Sequence, residues 1–376
     1  MFGHEVFCSN GNRFAWQIDP KTLEALRKLD TRKYFNMRTM NCPPFKEDDG
    51  TFVCVCSNIT IKGSTSYGIF KVPSPQSPGD FSAISDALAS NKTVSVIPTT
   101  KTNVLPYLRL FATTKNYYIL VEQPYGVNVR QFLSQIFSGS HFCYQKNMEY
   151  DETFKNRFLI VEKSTGKLLP QYIESSELFH YFHIGNSYET EDGNYIVIDI
   201  NSYPNADILV HGFNLENRRN GPTAMHSSIK RFKIPISNNN KEGRITVTPE
   251  ILNPNGCMFP TLNKERRGKH YRYLYGTTEL TINEYSNSLV KIDVETKQVK
   301  LWTGEDYIVP YGPLYIPKPG SEQEDDGVIV ALISDGRTGG LSSMLFLCAQ
   351  TMTEISRVQF PHFLPLTTSL FFIPPK

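Results

Sequence analysis

Short runs of β-branched and aromatic residues recur along the entire chain, and this recurrence limits the fold more than any other feature. "TFVCVC" (51–56), "YGIFKV" (67–72), "YYILVEQ" (117–123), "RFLIVE" (157–162), "NYIVIDI" (194–200), "RFKIPI" (231–236), "RITVT" (244–248), "YRYLYG" (271–276), "LVKIDV" (289–294), "GVIVALI" (327–333) and "MLFLCAQ" (344–350) are each bounded by Gly, Asn, Asp or Pro. Runs of this length and content suit strands, and the bounding residues suit turns. Many short strands at near-regular spacing imply an all-β sandwich, barrel or propeller.

Two internal echoes favour the propeller. Residues 14–30, 158–173, 289–302 and 345–360 share one form: a strand, a tight turn around Thr22, Thr165, Thr296 or Thr351, and a second strand. In the first, "TLEALRKL" has helical periodicity, but its likeness to the three clear hairpins makes a hairpin the expectation there too. An acidic turn with glycine also precedes a strand three times, in "KEDDGT" (46–51), "TEDGN" (190–194) and "QEDDGV" (323–328). The polar interval 201–228 departs from the pattern and reads as a loop insertion on one face, whereas "ISNNNKEG" (236–243) reads as a plain hairpin loop. No linker divides the chain, so residues 1–376 are expected to form a single domain.

The 376 residues hold 39 basic and 37 acidic side chains and no long run of either sign, which excludes the basic stripe of a nucleic-acid-binding surface. No window approaches the apolar length of a membrane span, and the N-terminal "MFGHEVFCSNGNRFAW" has no signal-peptide pattern, so the expectation is a cytoplasmic protein. The seven cysteines are scattered without a CxxC pair, which points to buried thiols; in "CVC" Cys54 and Cys56 should share one face of a strand. "GVNVRQFLSQIFSG" (126–139) carries Val129, Phe132, Leu133, Ile136 and Phe137 at helical spacing. This amphipathic pattern fits either a packed cap helix or a peripheral membrane contact.

Seven segments occur in one order: "IDPKTLEAL", "DDGTF" with "YGIFKVP", "TKNYYILVEQP", "FHIGNSYETEDGNYIVID", "FPTLNKERRGKHYRYLYG", "YGPLYIPKPGSEQEDDGVIVALIS" and "EISRVQFP". Together they resemble the carotenoid cleavage oxygenases, a family that includes plant carotenoid dioxygenases, animal β-carotene oxygenases and the retinoid isomerase of the retinal pigment epithelium. The animal branch is the more similar. The resemblance implies a seven-bladed β-propeller with a loop-built dome over an apolar tunnel. It also implies Fe(II) held by four histidines, three of them backed by glutamates. It starts just upstream of "IDPKTLE", so the propeller is expected to be incomplete, lacking on the order of one to two N-terminal blades.

Only His183, in "FHIGN", matches a family iron histidine. The counterparts of the others are Cys42 (or Pro43, allowing for a one-residue insertion), Arg109 and Ser369. A guanidinium has no lone pair for a metal. The three glutamates correspond to Met258, Gly312 and Gly11. His180, three residues before His183, is expected on the opposite face of an extended strand; His211, His226 and His270 read as surface or packing residues, and His362, seven residues before Ser369, lies too far along an extended strand to stand in for it. The expected protein is therefore a catalytically inactive family member that binds a carotenoid, retinoid or similar isoprenoid, with no bound iron and no catalytic residues. Two alternatives stay open: an active Fe(II) carotenoid dioxygenase or retinoid isomerase, and a degenerate or truncated gene product with an interaction role only. Iron content and visible absorption separate them.

Overall fold

The β-branched and aromatic runs all form strands in the computed structural model, which describes residues 5–9, 14–35, 43–60, 62–75, 81–137, 147–209, 226–236, 242–278, 287–365 and 370–373. The chain packs as two compact units, Met1–Phe111 with Asn116–Ile173, and Ala112–Lys115 with Glu174–Lys376.

In the first unit, Phe14–Ile18 and Ala25–Asp30 pair antiparallel despite the helical periodicity of the second strand. The turn between them decides this. Asp19 Oδ1 accepts from Lys21 N at 2.7 Å, and Leu23 takes a left-handed φ of 60° that a helix does not allow. A four-stranded antiparallel sheet follows, with strands Phe45–Lys46, Phe52–Ile59, Ser64–Val72 and Lys92–Thr102 in sequence order. Cys54 and Cys56 share one face and pack with Phe52, Phe70 and Val72, while Val53 and Val55 face Tyr67, Tyr118 and Leu120. Burial pushes the Cys54 thiol up to about 12, so it is a packing group rather than a nucleophile. The helix Phe81–Ala89 seats Ile84 and Leu88 on the cysteine face.

The second unit contains three four-stranded antiparallel sheets, each with strands in sequence order after its first. These are His180–Glu189, Tyr195–Tyr203, Ser228–Pro235 and Glu250–Asn253; Met258–Thr261, Tyr273–Thr277, Ser288–Asp293 and Val299–Thr303; and Ile308–Pro317, Gly327–Asp335, Ser342–Cys348 and Glu354–Gln359. Neighbouring sheets share cores. Tyr188, Val197 and Ile229 pack with Leu274, Val290 and Ile292, and Tyr275, Leu289 and Trp302 pack with Ile329, Leu345 and Leu347. Each such side chain contributes about 1.5–3 kcal/mol by leaving water. The last strands, Val299–Thr303 and Glu354–Gln359, are largely exposed edges.

The acidic turns join strands that lie far apart in sequence. In the first unit Glu47 accepts from Lys163 at 2.8 Å and Tyr118 at 2.9 Å and pairs with Lys71 at 2.7 Å. Burial raises its carboxyl, but these partners outweigh it and hold the group below its ordinary value. In the second unit Glu324 Oε1 accepts from both Arg272 N and Tyr273 N at 2.8 Å, and Asp325 meets the buried Lys291 ammonium at 2.6 Å.

Two loop expectations change. The strand after "ISNNNKEG", Arg244–Val247, does not return along Ser228–Pro235; Glu250–Asn253 takes that place. Arg244–Val247 lies instead beside residues 174–176, where Arg244 meets the buried Glu174 carboxylate at 2.7 and 3.1 Å. A hairpin needs only local turn chemistry, but this carboxylate supplies a stronger non-local partner. The proposed insertion 201–228 begins later, because the strand continues through the buried Tyr203 and the next one starts at Ser228. Residues 210–225, including His211, lie outside the described residues. The amphipathic stretch forms the helix Val129–Phe137, and no helix among the described residues is long and apolar enough to cross a membrane.

Candidate functional site

The strand His180–Glu189 is not a simple alternating ladder. His180 pairs with Tyr203 and Tyr181 with Ser202, but the next pair is His183 with Asn201, leaving Phe182 as an extra residue. Directly paired residues project to the same face, and Tyr203 and Asn201, two apart, share one face. The bulge therefore brings His180 and His183 onto a common face, contrary to the opposite-face expectation. A second shift, between Ile184 and Asn186, lies at Gly185. One extra residue reverses the side-chain parity of everything after it, which is how bulges re-aim groups at sites.

Aromatic rings surround the two imidazoles. His180 meets Phe182 edge-on at 4.7 Å between centroids, Phe182 meets Tyr203 at 5.8 Å, His183 meets Phe259 edge-on at 5.0 Å, and Phe259 lies 6.1 Å from Tyr311. Burial pushes the His180 imidazole down to about 3, so it is neutral at physiological pH. The strands that carry Phe259 and Tyr311 are also irregular. Phe259 has φ 50° at a register shift between Met258 and Thr261, and Gly312 has φ 50° at one between Tyr311 and Leu314. Three inner strands thus break register around the same patch of side chains.

The groups behind this patch are fully bonded. Asn186 donates to Arg266 O and Lys269 O at 3.0 Å each and accepts from Gly268 N at 3.0 Å, so it shapes the 264–270 turn. The fully buried Asp199 takes two 2.8 Å bonds from Arg231 and a 2.6 Å bond from the Tyr271 hydroxyl. A carboxylate with this many charge-assisted donors is an anchor for the sheet rather than a general base.

The site residues expected from the sequence are only partly brought together. His183 lies on this patch, and the buried Met258 and Gly312 lie on its irregular strands. Arg109 is exposed in the first unit, and Pro43 is exposed as well. Cys42, Ser369 and Gly11 lie outside the described residues. His226, His270 and His362 are exposed. Among the described residues, no three His, Cys, Asp or Glu side chains gather closely enough to hold a metal ion. Sequence reasoning missed Asn201, Phe259, Tyr311 and the Asp199 anchor. The charge of Asp199 inside "YIVIDI" was the available signal, since a carboxylate in a fully apolar strand needs a partner.

A family model described as retinal pigment epithelial membrane protein matches residues 1–373. The beta,beta-carotene 15,15'-dioxygenase of Gallus gallus is 27% identical over 401 residues, covering 99% of this chain and 73% of that protein. The mitochondrial carotenoid-cleaving dioxygenase of Mustela putorius furo is 26% identical over 397 residues, covering 96% and 71%. Among solved structures, a point variant of Synechocystis apocarotenoid oxygenase (ACO) is 18% identical, with TM-score 0.76 and coverage of 98% of this chain and 72% of that one. A chimera of ACO and RPE65 is 17% identical, with TM-score 0.77 and coverage of 98% and 72%. The all-β fold is that of the carotenoid oxygenase propeller.

Proposed function

The chain belongs to the retinal pigment epithelial membrane protein family, carotenoid-oxygenase-like proteins, and we propose that this member binds a carotenoid, retinoid or similar apolar isoprenoid without oxidising it. The setting of His183 carries this reading. The family is iron-dependent, and a ferrous site needs several imidazole or carboxylate donors converging on one point, with further groups orienting them. The rings against His183 are Phe182 and Phe259, and the neighbouring irregular strands supply Met258 and Gly312. Among the described residues, that donor set does not fit a ferrous ion. The resemblance puts Arg109, Cys42 (or Pro43) and Ser369 at the remaining ligand positions.

The same patch suits an apolar ligand. Phe182, Phe259 and Tyr311 present aromatic surface near a neutral, buried His180, and such surface holds a polyene by dispersion and loss of hydration. The relatives are named as a β,β-carotene dioxygenase and a carotenoid-cleaving dioxygenase, which directs the ligand class toward polyenes.

The test is elemental analysis and visible spectroscopy on one purified sample. Iron far below one per chain, with saturable spectral changes on adding a carotenoid and no shortened product, is the expected result. Near-stoichiometric iron with release of apocarotenals, or isomerisation of a retinoid ester, overturns the inactive reading. A sample whose added polyene shows no spectral change overturns the binding reading.

A further inference from the structure

Asn201 stands directly across the strand pair from His183, on the face that also carries His180 and Tyr203. Its side chain is fully buried. The carboxamide oxygen is committed twice: Oδ1 accepts from Cys257 N at 3.0 Å and from Ser227 Oγ at 2.9 Å. These bonds settle the orientation of the amide, because the Cys257 N–H needs an acceptor and only the oxygen end can provide one. Asn201 Nδ2, which carries two N–H groups, then has no hydrogen-bond partner among the described residues. A buried amide donor left unsatisfied is rare in a folded protein and calls for a specific explanation.

The surroundings narrow that explanation. Ser202 and Ser228 bond each other across the strand pair, and Asn253 donates to Gly256 O at 2.9 Å, so the neighbouring polar groups are already engaged. Gly256 has φ 66°, and a Cβ there would fall 2.0 Å from Ser227 Oγ, so the loop that positions Cys257 N against Asn201 is closely fitted. A rigid backbone–serine clamp thus holds an amide with its donor end uncommitted beside an aromatic patch.

We propose that Asn201 Nδ2 is the polar anchor of the ligand site, donating to an oxygen of the bound isoprenoid, so that the protein selects oxygen-bearing polyenes (aldehydes, ketones or alcohols) over hydrocarbon carotenes. This assignment rests on the ligand-binding reading above and specifies its substrate class. An aromatic surface alone ranks polyenes by size and apolar area, whereas one buried donor separates an oxygenated ligand from its hydrocarbon counterpart, which leaves the donor unpaired.

The experiment titrates the full chain at pH 8 with retinal, with retinol, and with the matching hydrocarbon that ends in a methyl group. Fluorescence quenching and absorption are the readouts. The wild-type protein is expected to bind retinal and retinol about tenfold tighter than the hydrocarbon. Asn201→Asp keeps the acceptor for Cys257 N and Ser227 but replaces the donor with a second acceptor. It should lose the preference for retinal, which can only accept, and retain retinol, which can donate. Asn201→Leu should lose both preferences and keep hydrocarbon binding; if it fails to fold by circular dichroism, the Asp variant carries the test. Equal wild-type affinity for all three ligands, or a retinal preference that survives in Asn201→Asp, overturns the role of Asn201 and leaves the ligand-binding reading intact. Failure of all three to bind overturns the ligand-binding reading itself and this assignment with it.

Discussion

His180 makes the stability of the second unit sensitive to acid, and the size of the effect follows from its burial. The imidazole is 1% exposed and packed between Phe182 and Tyr203, and burial holds it near a pKa of about 3. In the unfolded chain it titrates near 6.5. Below that value the unfolded state binds a proton that the folded state refuses, so stability falls as pH falls, at about 1.4 kcal/mol per unit until the folded pKa is reached. Between pH 7 and pH 5 the loss is about 2 kcal/mol, and it is nearly the same for any folded value below about 4. His180→Phe preserves the aromatic contacts and removes the titration. Urea unfolding of wild type and variant at pH 7 and pH 5, followed by far-UV circular dichroism, isolates the contribution, because every other titrating group cancels in the difference. The wild type should lose about 2 kcal/mol more than the variant over this interval. Parallel losses would mean that the imidazole is protonated in the folded state, and the neutral, apolar setting assigned to it would be wrong.

Other perturbations test the groups that shape the site. Arg231→Met leaves the Asp199 carboxylate buried with only the Tyr271 hydroxyl; it should cost about 3–5 kcal/mol in denaturant unfolding, and adding Asp199→Asn should restore part of the loss. Asn186→Ala removes three bonds that hold the 264–270 turn; a loss of about 2–3 kcal/mol is expected, and a change under about 0.5 kcal/mol would show that the turn stands without it. Gly276→Ala places a Cβ 2.2 Å from Cys257 Sγ and 2.6 Å from Met258 O; it should lower the thermal midpoint and weaken polyene binding together, since Cys257 also positions Asn201.

The strand content and turn positions were legible in the sequence because they are local properties. "YGIFKV", "RFLIVE" and "GVIVALI" became strands since β-branched and aromatic side chains suit a pleated, packed surface, and the acidic turns recur where Asp and Gly terminate them. The Cys54 and Cys56 face followed from simple alternation. Family membership was readable for a related reason: ordered motifs preserve local chemistry even at low identity.

Only the tertiary structure decided which side chains meet. A bulge inserts one residue without altering composition, and in a strand that is largely buried on both faces the period-2 pattern cannot reveal it; so His180, His183 and Asn201 came to share a face that alternation had divided. The uncommitted end of Asn201 depended on Cys257 and Ser227, 56 and 26 residues away. Likewise, Arg244–Val247 went to Glu174 rather than to the adjacent hairpin because a buried carboxylate needs a cation that the local turn could not provide. Local propensity places the strands, but the register and the pairing of buried polar groups are settled only when the distant segments pack.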